Sequence, residues 1–388
     1  MTARLRPALG AGVLAAALAL STTPAHAEPR GPAGWTPVEL GTLGGARTTP
    51  TAVNDRGQVV GTSETADGRW HAFLWDRGVM TDLTPDAQSG TATDISTKGH
   101  VTGYVQPAPG EASDAFLWRG GTTTVLAEDG HGLAVNERGQ VGGSVAQPAT
   151  WSDNPFVWTA GTRTDLTPPP FPDARTSASL LDLNDRGEVL AASEYTDDSD
   201  LGYVWSRGRF TELRDADARL RGVDLNDRGH VAGSVGRTGW FREAALWRDG
   251  AIRRLGVLPG HETSLALALN DAGLVVGVSA PAPGQRGTGV VWRDGVPVPL
   301  GVVGEGWSLA SDVNERGQVA GQLGATTADG AEVAQPFVWQ DGRLVPLGAP
   351  TEDDVTVADL SEKGHVLTVT GDVLAERGVL WVPAAPRS

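Results

Sequence analysis

The chain has 388 residues, no Cys and a formal net charge of −16. Without Cys it has no disulfides, thiolate metal sites or Cys nucleophiles. So acidic a chain should repel nucleic acid and anionic lipid, and we expect neither as a partner.

The first 27 residues predict a secretory signal peptide. Arg4 and Arg6 precede an apolar run over 8–20, and Ala25-His26-Ala27 supplies the small residues that a signal peptidase reads. The run is short for a membrane span, and no later segment is long enough to cross a bilayer. We therefore expect cleavage after Ala27, an extracellular product and no membrane insertion. Two Arg and no acidic residue are removed, so the net charge becomes −18.

Eight copies of one pattern follow, each with a turn of the type Asn-Asp-Arg-Gly and a later Trp. The turn glycines are spaced 42, 40, 48, 42, 44, 44 and 47 residues apart. A period in the forties with four short strands per copy is typical of a β-propeller. The prediction is an all-β fold in which residues 28–388 form a single domain of eight four-stranded blades. The repeats lie near 51–83, 92–126, 133–166, 180–213, 222–255, 265–300, 310–347 and 356–382.

The clearest copy, over 51–83, assigns a role to each part of the pattern. Asn54 to Gly57 predicts a type I turn closed by a left-handed Gly. Val59 suits a packed strand, and we expect the small residue at Gly61 to let neighbouring sheets approach closely. A Trp at the register of Trp75 recurs in all eight copies, which predicts a core wedge between blades.

The two ends of the repeat array complement each other. Residues 36–43 look like a fourth strand without the three before it, and the last copy stops at its third strand. The N-terminal strand is therefore predicted to complete the last blade and close the ring, which removes exposed sheet edges.

Leu40-Gly41-Thr42-Leu43-Gly44-Gly45, the turn segment Ala52–Gly61 and His71-Ala72-Phe73-Leu74-Trp75 together resemble the bacterial extracellular HAF-repeat family. The His-Ala-Phe tripeptide is intact once, at 71–73, and degenerate in the other copies. The resemblance covers nearly all of the mature chain. It implies secretion and a propeller-like repeat fold, and it implies no reaction.

The candidate ligand-binding residues lie in the variable loops, which share one face of a propeller (the loop face). The uniform turns occupy the opposite, turn face. Loops on a rigid scaffold commonly carry function. A Trp outside the repeat register can stack on a sugar or anchor a protein partner. Alternatively, its side chain folds over the end of a blade and covers the edge of the hydrophobic core. The candidates are Trp70, Trp151, Trp240 and Trp307, with His71, His131 and His261 as further candidates.

Other signals are weaker. The cations repeated on the turn face suit either a charged docking ring or solvated turn residues. Asp197-Asp198-Ser199-Asp200 and Glu352-Asp353-Asp354 lack the spacing of a calcium loop, so we predict no metal site. No nucleophile elbow, zinc-protease or P-loop motif is present, and we expect no cofactor.

The sequence thus favours a monomeric, secreted, non-catalytic binding or scaffold module with a glycan or protein ligand on its loop face. The alternative is a carbohydrate-active hydrolase or lyase with paired carboxylates at the channel mouth. Carboxylates available for such a pair are Asp129, Asp173, Glu194, Glu262 and Glu305.

Overall fold

The computed structural model describes residues 34–147, 152–166, 178–193, 201–236, 242–302, 306–327, 329–371 and 375–384. The predicted signal peptide at 1–27 lies outside these residues, as do Trp151 and Trp240. Every regular element in the described part is a β-strand, and no helix there is long and apolar enough to cross a membrane.

The described strands form eight four-stranded antiparallel sheets. The N-terminal strand is β1 (Trp35–Glu39). Blades 1 to 7 each take four consecutive strands, and blade 8 takes the last three together with β1. The strands are β2–β5 (Gly44–Val53, Val59–Thr65, Trp70–Asp76, Val79–Asp82), β6–β9 (Ser89–Ile95, Val101–Gln106, Asp114–Arg119, Thr122–Ala127), β10–β13 (Gly130–Val135, Val141–Gln147, Ser152–Thr159, Thr162–Asp165), β14–β17 (Ala178–Leu183, Val189–Ser193, Leu201–Ser206, Arg209–Glu212), β18–β21 (Arg221–Leu225, Val231–Val235, Glu243–Arg248, Ala251–Arg254), β22–β25 (Thr263–Leu269, Val275–Ala280, Thr288–Arg293, Val296–Pro299), β26–β29 (Trp307–Val313, Val319–Thr326, Glu332–Gln340, Arg343–Pro346) and β30–β32 (Val355–Leu360, Val366–Thr370, Arg377–Pro383).

The first strand of each blade contacts the first strands of both neighbouring blades, including β2 of blade 1 with β30 of blade 8. These eight strands therefore form the inner wall of a closed ring around a central channel. The predicted eight-bladed β-propeller is confirmed.

The N-terminal strand closes the ring as predicted. β1 pairs antiparallel with β32, from Trp35 opposite Pro383 to Glu39 opposite Val379. The backbone N–H of Leu40 donates to the carbonyl of Gly378 at 3.1 Å, and Leu40 itself is buried. The paired strand thus begins one residue before the predicted 36–43 segment and ends earlier.

The turn at Asn54 has the predicted geometry. The Gly57 N–H donates to the carbonyl of Asn54 at 2.9 Å, and Gly57 has φ of +72°, which an L side chain adopts poorly. The Asn54 side chain also reaches blade 2, where its Nδ2 donates to the carbonyl of Ser96 at 3.0 Å. Such side-chain bonds recur around the ring, as from Asn226 to Asn270, so the turns that carry Asn also link neighbouring blades.

The repeated Trp acts as the predicted wedge between blades. Trp339 of blade 7, for example, packs in one buried cluster with Val291 and Leu300 of blade 6.

The small residue after each turn has a different role from the predicted one. A Cβ on Gly277 would lie 2.0 Å from the carbonyl oxygen of Leu265, and one on Gly103 would lie 2.0 Å from that of Thr91. Both carbonyls belong to the first strand of the same blade, next to a bulge in that strand. In the blades that carry glycine at this position, the glycine makes room for the bulge within its own blade, so the expectation of close approach between neighbouring sheets was wrong.

Candidate functional site

Acidic residues on the turn face link successive blades. The carboxylate of Asp227 accepts a hydrogen bond from the backbone N–H of Asp185 at 2.7 Å, and Asp271 accepts one from Asp227 at 2.8 Å. The chain of bonds ends where Asp55 of blade 1 accepts from Lys363 of blade 8 at 3.1 Å. These acids hold the ring together, while the neighbouring turn cations are exposed. The turn face is therefore a structural surface on which carboxylates bond one blade to the next.

A second set of acids lies on the inner strands of five blades. Each carboxylate accepts a backbone N–H from the next blade: Asp94 from Val135, Asp182 from Leu225, Asp224 from Leu269, Asp312 from Leu360 and Asp359 from Val53. The donor–acceptor distances run from 2.6 to 2.9 Å. These carboxyls therefore link neighbouring blades by hydrogen bonds along the channel wall.

The ring withdraws these carboxyls from bulk water, which disfavours their charged form. Burial raises the pKa of Asp94 to about 6. Burial, and then the charge of Asp182, raises the pKa of Asp224 well above the usual range, and Asp224 hydrogen-bonds to Asp182. Burial, and then the charge of Asp312, does the same to Asp359. Two carboxyl pairs therefore favour sharing a proton.

The three His candidates lie in three different environments. His71 is 1 % exposed, and its Nδ1 lies 2.7 Å from Oδ2 of Asp82 inside blade 1. His131 is exposed on the inner strand β10, with its ring centroid 4.3 Å from that of Tyr104. His261 is half-buried, with Nδ1 3.0 Å from Oγ of Ser279 in blade 6. They belong to blades 1, 3 and 6, and the described residues hold no cluster of three or more His, Cys, Asp or Glu suited to a metal ion.

Trp70 begins the third strand of blade 1 and is half-buried. The guanidinium carbon of Arg47 lies 4.4 Å from its ring centroid, and Arg47 Nε lies 3.4 Å from Oε2 of Glu64. One face of the indole is therefore covered by a cation that is itself ion-paired.

Trp307 begins the inner strand of blade 7 and has the same arrangement. The guanidinium carbon of Arg286 lies 4.6 Å from its ring centroid, and Arg286 forms an ion pair with Glu332. The indole also packs on the backbone of Gly324, its partner in the sheet register. Trp70 and Trp307 have separate partners on blades 1 and 6–7.

Trp307 also lines a groove of about 380 Å³ on the loop face. We call it the Trp307 groove; it runs between blades 6, 7 and 8. Val278, Leu309, Val333 and Val355 supply apolar lining, and Glu332, Glu352, Asp353 and Asp354 supply carboxylates against the single guanidinium of Arg286.

Comparison with family models and with curated proteins finds no match for this chain. Solved structures with a similar fold include the β-propeller domain of the Trilobed protease from Pyrococcus furiosus, with TM-score 0.48 and 14% identity over 79% of this chain and 97% of that one. The acylaminoacyl peptidase of Pyrococcus horikoshii has TM-score 0.47 and 12% identity over 84% of this chain and 57% of that one. TolB from Acinetobacter baumannii has TM-score 0.36 and 10% identity over 70% and 76%. The names protease and peptidase belong to the first two of those proteins, and the likeness of this chain to all three concerns the fold alone.

Sequence reasoning missed two sets of residues. The channel acids carried a signal, because Asp stands two positions before the turn Asn or Ser in five copies, as in Asp182-Leu183-Asn184. The partners of Trp307 carried none, because Arg286 and Asp353 lie in two different loops and Glu332 begins β28. Only the folded ring brings them together.

Proposed function

We propose that the mature chain is a secreted, non-catalytic binding module whose ligand occupies the Trp307 groove. The observation that carries this proposal is a loop-face cavity with an aromatic side chain, apolar lining and convergent charged groups. Concave sites of this kind, with a few placed polar groups, are where proteins bind ligands. Secretion is supported by the pattern over 1–27 and by the resemblance to the HAF-repeat family.

The contacts of Trp307 favour a protein ligand over a glycan. Sugar stacking needs a free aromatic face, and Arg286 lies over one face of this indole. Trp70 has the same cover from Arg47. Trp and Arg are also the residue types that dominate binding energy at protein interfaces. The partner class we infer is therefore a peptide segment of another protein.

The hydrolase alternative gains no support from the channel. Oxygens of Asp182, Asp224 and Asp359 accept backbone N–H groups, as expected of structural acids. Among the sequence candidates, Asp129 and Glu262 precede the inner strands of blades 3 and 6, three blades apart. These two do not form a converging pair of acid and base, and Asp173, Glu194 and Glu305 lie outside the described residues.

The test is a parallel screen of residues 28–388 on a peptide array and a glycan array, beside the Trp307→Ala variant. The proposal predicts ligands that bind the parent chain and are lost in a folded variant. Thermal melting of the variant separates lost binding from lost fold. A full set of ligands retained by Trp307→Ala would show that the site lies elsewhere.

A further inference from the structure

The Trp307 groove has an excess of negative charge. Four carboxylates line it against one guanidinium, and that guanidinium is already paired with Glu332. The three remaining acids, Glu352, Asp353 and Asp354, are exposed. In the part of the chain that the structure describes, no Lys or Arg ion pair neutralises them. The groove therefore offers an uncompensated negative field to an incoming ligand.

The acidic tripeptide is fixed in position at both ends. Thr351 exchanges two backbone hydrogen bonds with Ala334 of blade 7, at 2.8 and 2.9 Å. Thr351 Oγ1 accepts from the N–H of Asp353 at 3.1 Å, and the carbonyl of Asp354 accepts from the N–H of Gly371 at 3.0 Å. A site that is already ordered loses less entropy on binding. The loop is thus pre-organised to present its carboxylates along the groove.

The groove already holds one cation in the manner that a ligand would use. Arg286 places its guanidinium on the indole of Trp307 and pairs with Glu332. A guanidinium or ammonium gains from both an aromatic face and a carboxylate. The apolar lining at Val278, Leu309 and Val333 suits the aliphatic stem of such a side chain.

From the groove, its fixed acids and this internal cation, we infer that the ligand is a basic peptide segment, rich in Lys or Arg, on a partner protein. This inference rests on the proposed function and specifies its ligand. Charge complementarity of this kind sets specificity and association rate. The segment lies along Glu352 to Asp354 and packs its stems against the apolar lining.

The test is a fluorescence anisotropy titration of residues 28–388 with a labelled octapeptide of alternating Lys and Ala. The matching peptide with Glu in place of Lys is the ligand control. The variant is the triple substitution Glu352→Gln, Asp353→Asn and Asp354→Asn. Its matched control is Asp86→Asn, Glu111→Gln and Asp341→Asn, which removes the same charge from exposed positions outside the groove.

We expect the Lys peptide to bind and the Glu peptide not to bind. The triple variant in the groove should bind the Lys peptide about tenfold more weakly than the parent chain does. The control triple variant should change the affinity less than about twofold. Binding should also weaken as salt rises, because exposed charges are screened. Equal weakening by both triples would overturn the inference, since it would reflect net charge alone.

Two further outcomes separate the inference from the proposed function. In the first, the Lys peptide does not bind, but a neutral peptide or a glycan binds the parent chain and not Trp307→Ala. This result overturns the inference of a basic ligand and leaves the proposed binding site in place. If no peptide or glycan depends on Trp307, both are overturned.

Discussion

The carboxylate of Asp359 in the last blade accepts a hydrogen bond of 2.7 Å from the backbone N–H of Val53 in the first blade. This bond closes the ring on the channel side. On the turn face Asp55 accepts from the N–H of Lys363, and at the outer rim β1 pairs with β32. The ring is thus closed by hydrogen bonds on the channel side, on the turn face and at the outer rim. The chain has no Cys, so no disulfide adds to this closure.

Removal of the closing strand should open the ring. Deleting residues 28–39 leaves β32 with an unpaired edge and uncovers its packing partners, so we expect the melting temperature to fall by roughly 10 °C or more. Differential scanning calorimetry measures the change, and size-exclusion chromatography reports edge-to-edge association. Deletion of 28–33, which stops before the strand, is the control. Equal melting of the two deletions would contradict closure by this strand.

Asp224 and Asp182 should respond differently to the same change. Burial, and then the charge of Asp182, raises the pKa of Asp224, which shifts this carboxyl toward its protonated form, and Asp224→Asn keeps a donor toward Asp182 and an acceptor for the Leu269 N–H. Asp182 accepts N–H groups from Leu183 and Leu225, so Asp182→Asn leaves one without an acceptor. We expect Asp224→Asn to retain stability and Asp182→Asn to lose about 1–3 kcal/mol in urea unfolding.

The same pair gives a pH dependence of defined sign. The pKa of Asp224 is higher in the folded state, so its contribution to stability is present below about pH 4 and is lost as pH rises through the folded pKa. The parent chain should therefore lose more stability than Asp224→Asn between pH 5 and pH 8. Urea unfolding at both pH values measures this. Since burial lowers the pKa of His100, His230 and His365 in both proteins, their contributions cancel. Parallel pH profiles would refute the assignment.

The turn Asn should matter more than the turn cation beside it. Asn226 Nδ2 donates to Asn270, while its Oδ1 accepts from the N–H groups of Arg228 and His230. Asn226→Ala breaks these bonds in a buried site and should cost about 1–3 kcal/mol. Arg228→Ala, at an exposed position, should change stability by less than about 0.5 kcal/mol. Guanidinium unfolding of both variants checks the difference, and similar losses would argue against a blade-to-blade role for the Asn.

The glycine at this position of blade 6 should not accept a methyl group unless the bulge opposite it shifts. Gly277→Ala would place Cβ against the Leu265 carbonyl, and we expect a loss of about 1–3 kcal/mol or more. Blade 4 carries Ala191 at this register, so Ala191→Gly is the reverse control and should cost about 1 kcal/mol. Thermal melting compares them. A Gly277→Ala variant as stable as the parent would mean that the bulge relaxes freely.

The repeat pattern predicted the ring because each copy specifies the same local structure. Gly57 fixes a turn, Trp75 a wedge, and the incomplete ends fix the closure. The contacts between blades could not be predicted from the sequence, because Asp182 and Leu225 are 43 residues apart and meet only in the folded ring. The Trp307 groove was hidden for the same reason. Sequence could place Trp307 on the loop face but could not supply Arg286 and Glu332 beside it.

The most direct test of the binding site is hydrogen–deuterium exchange of residues 28–388 with and without the alternating Lys and Ala octapeptide. The groove predicts slower exchange at 285–287, 332–334 and 351–355 when peptide is present, and unchanged exchange in the turns of the opposite face. Protection centred on those turns, or on no segment of blades 6 to 8, would contradict it.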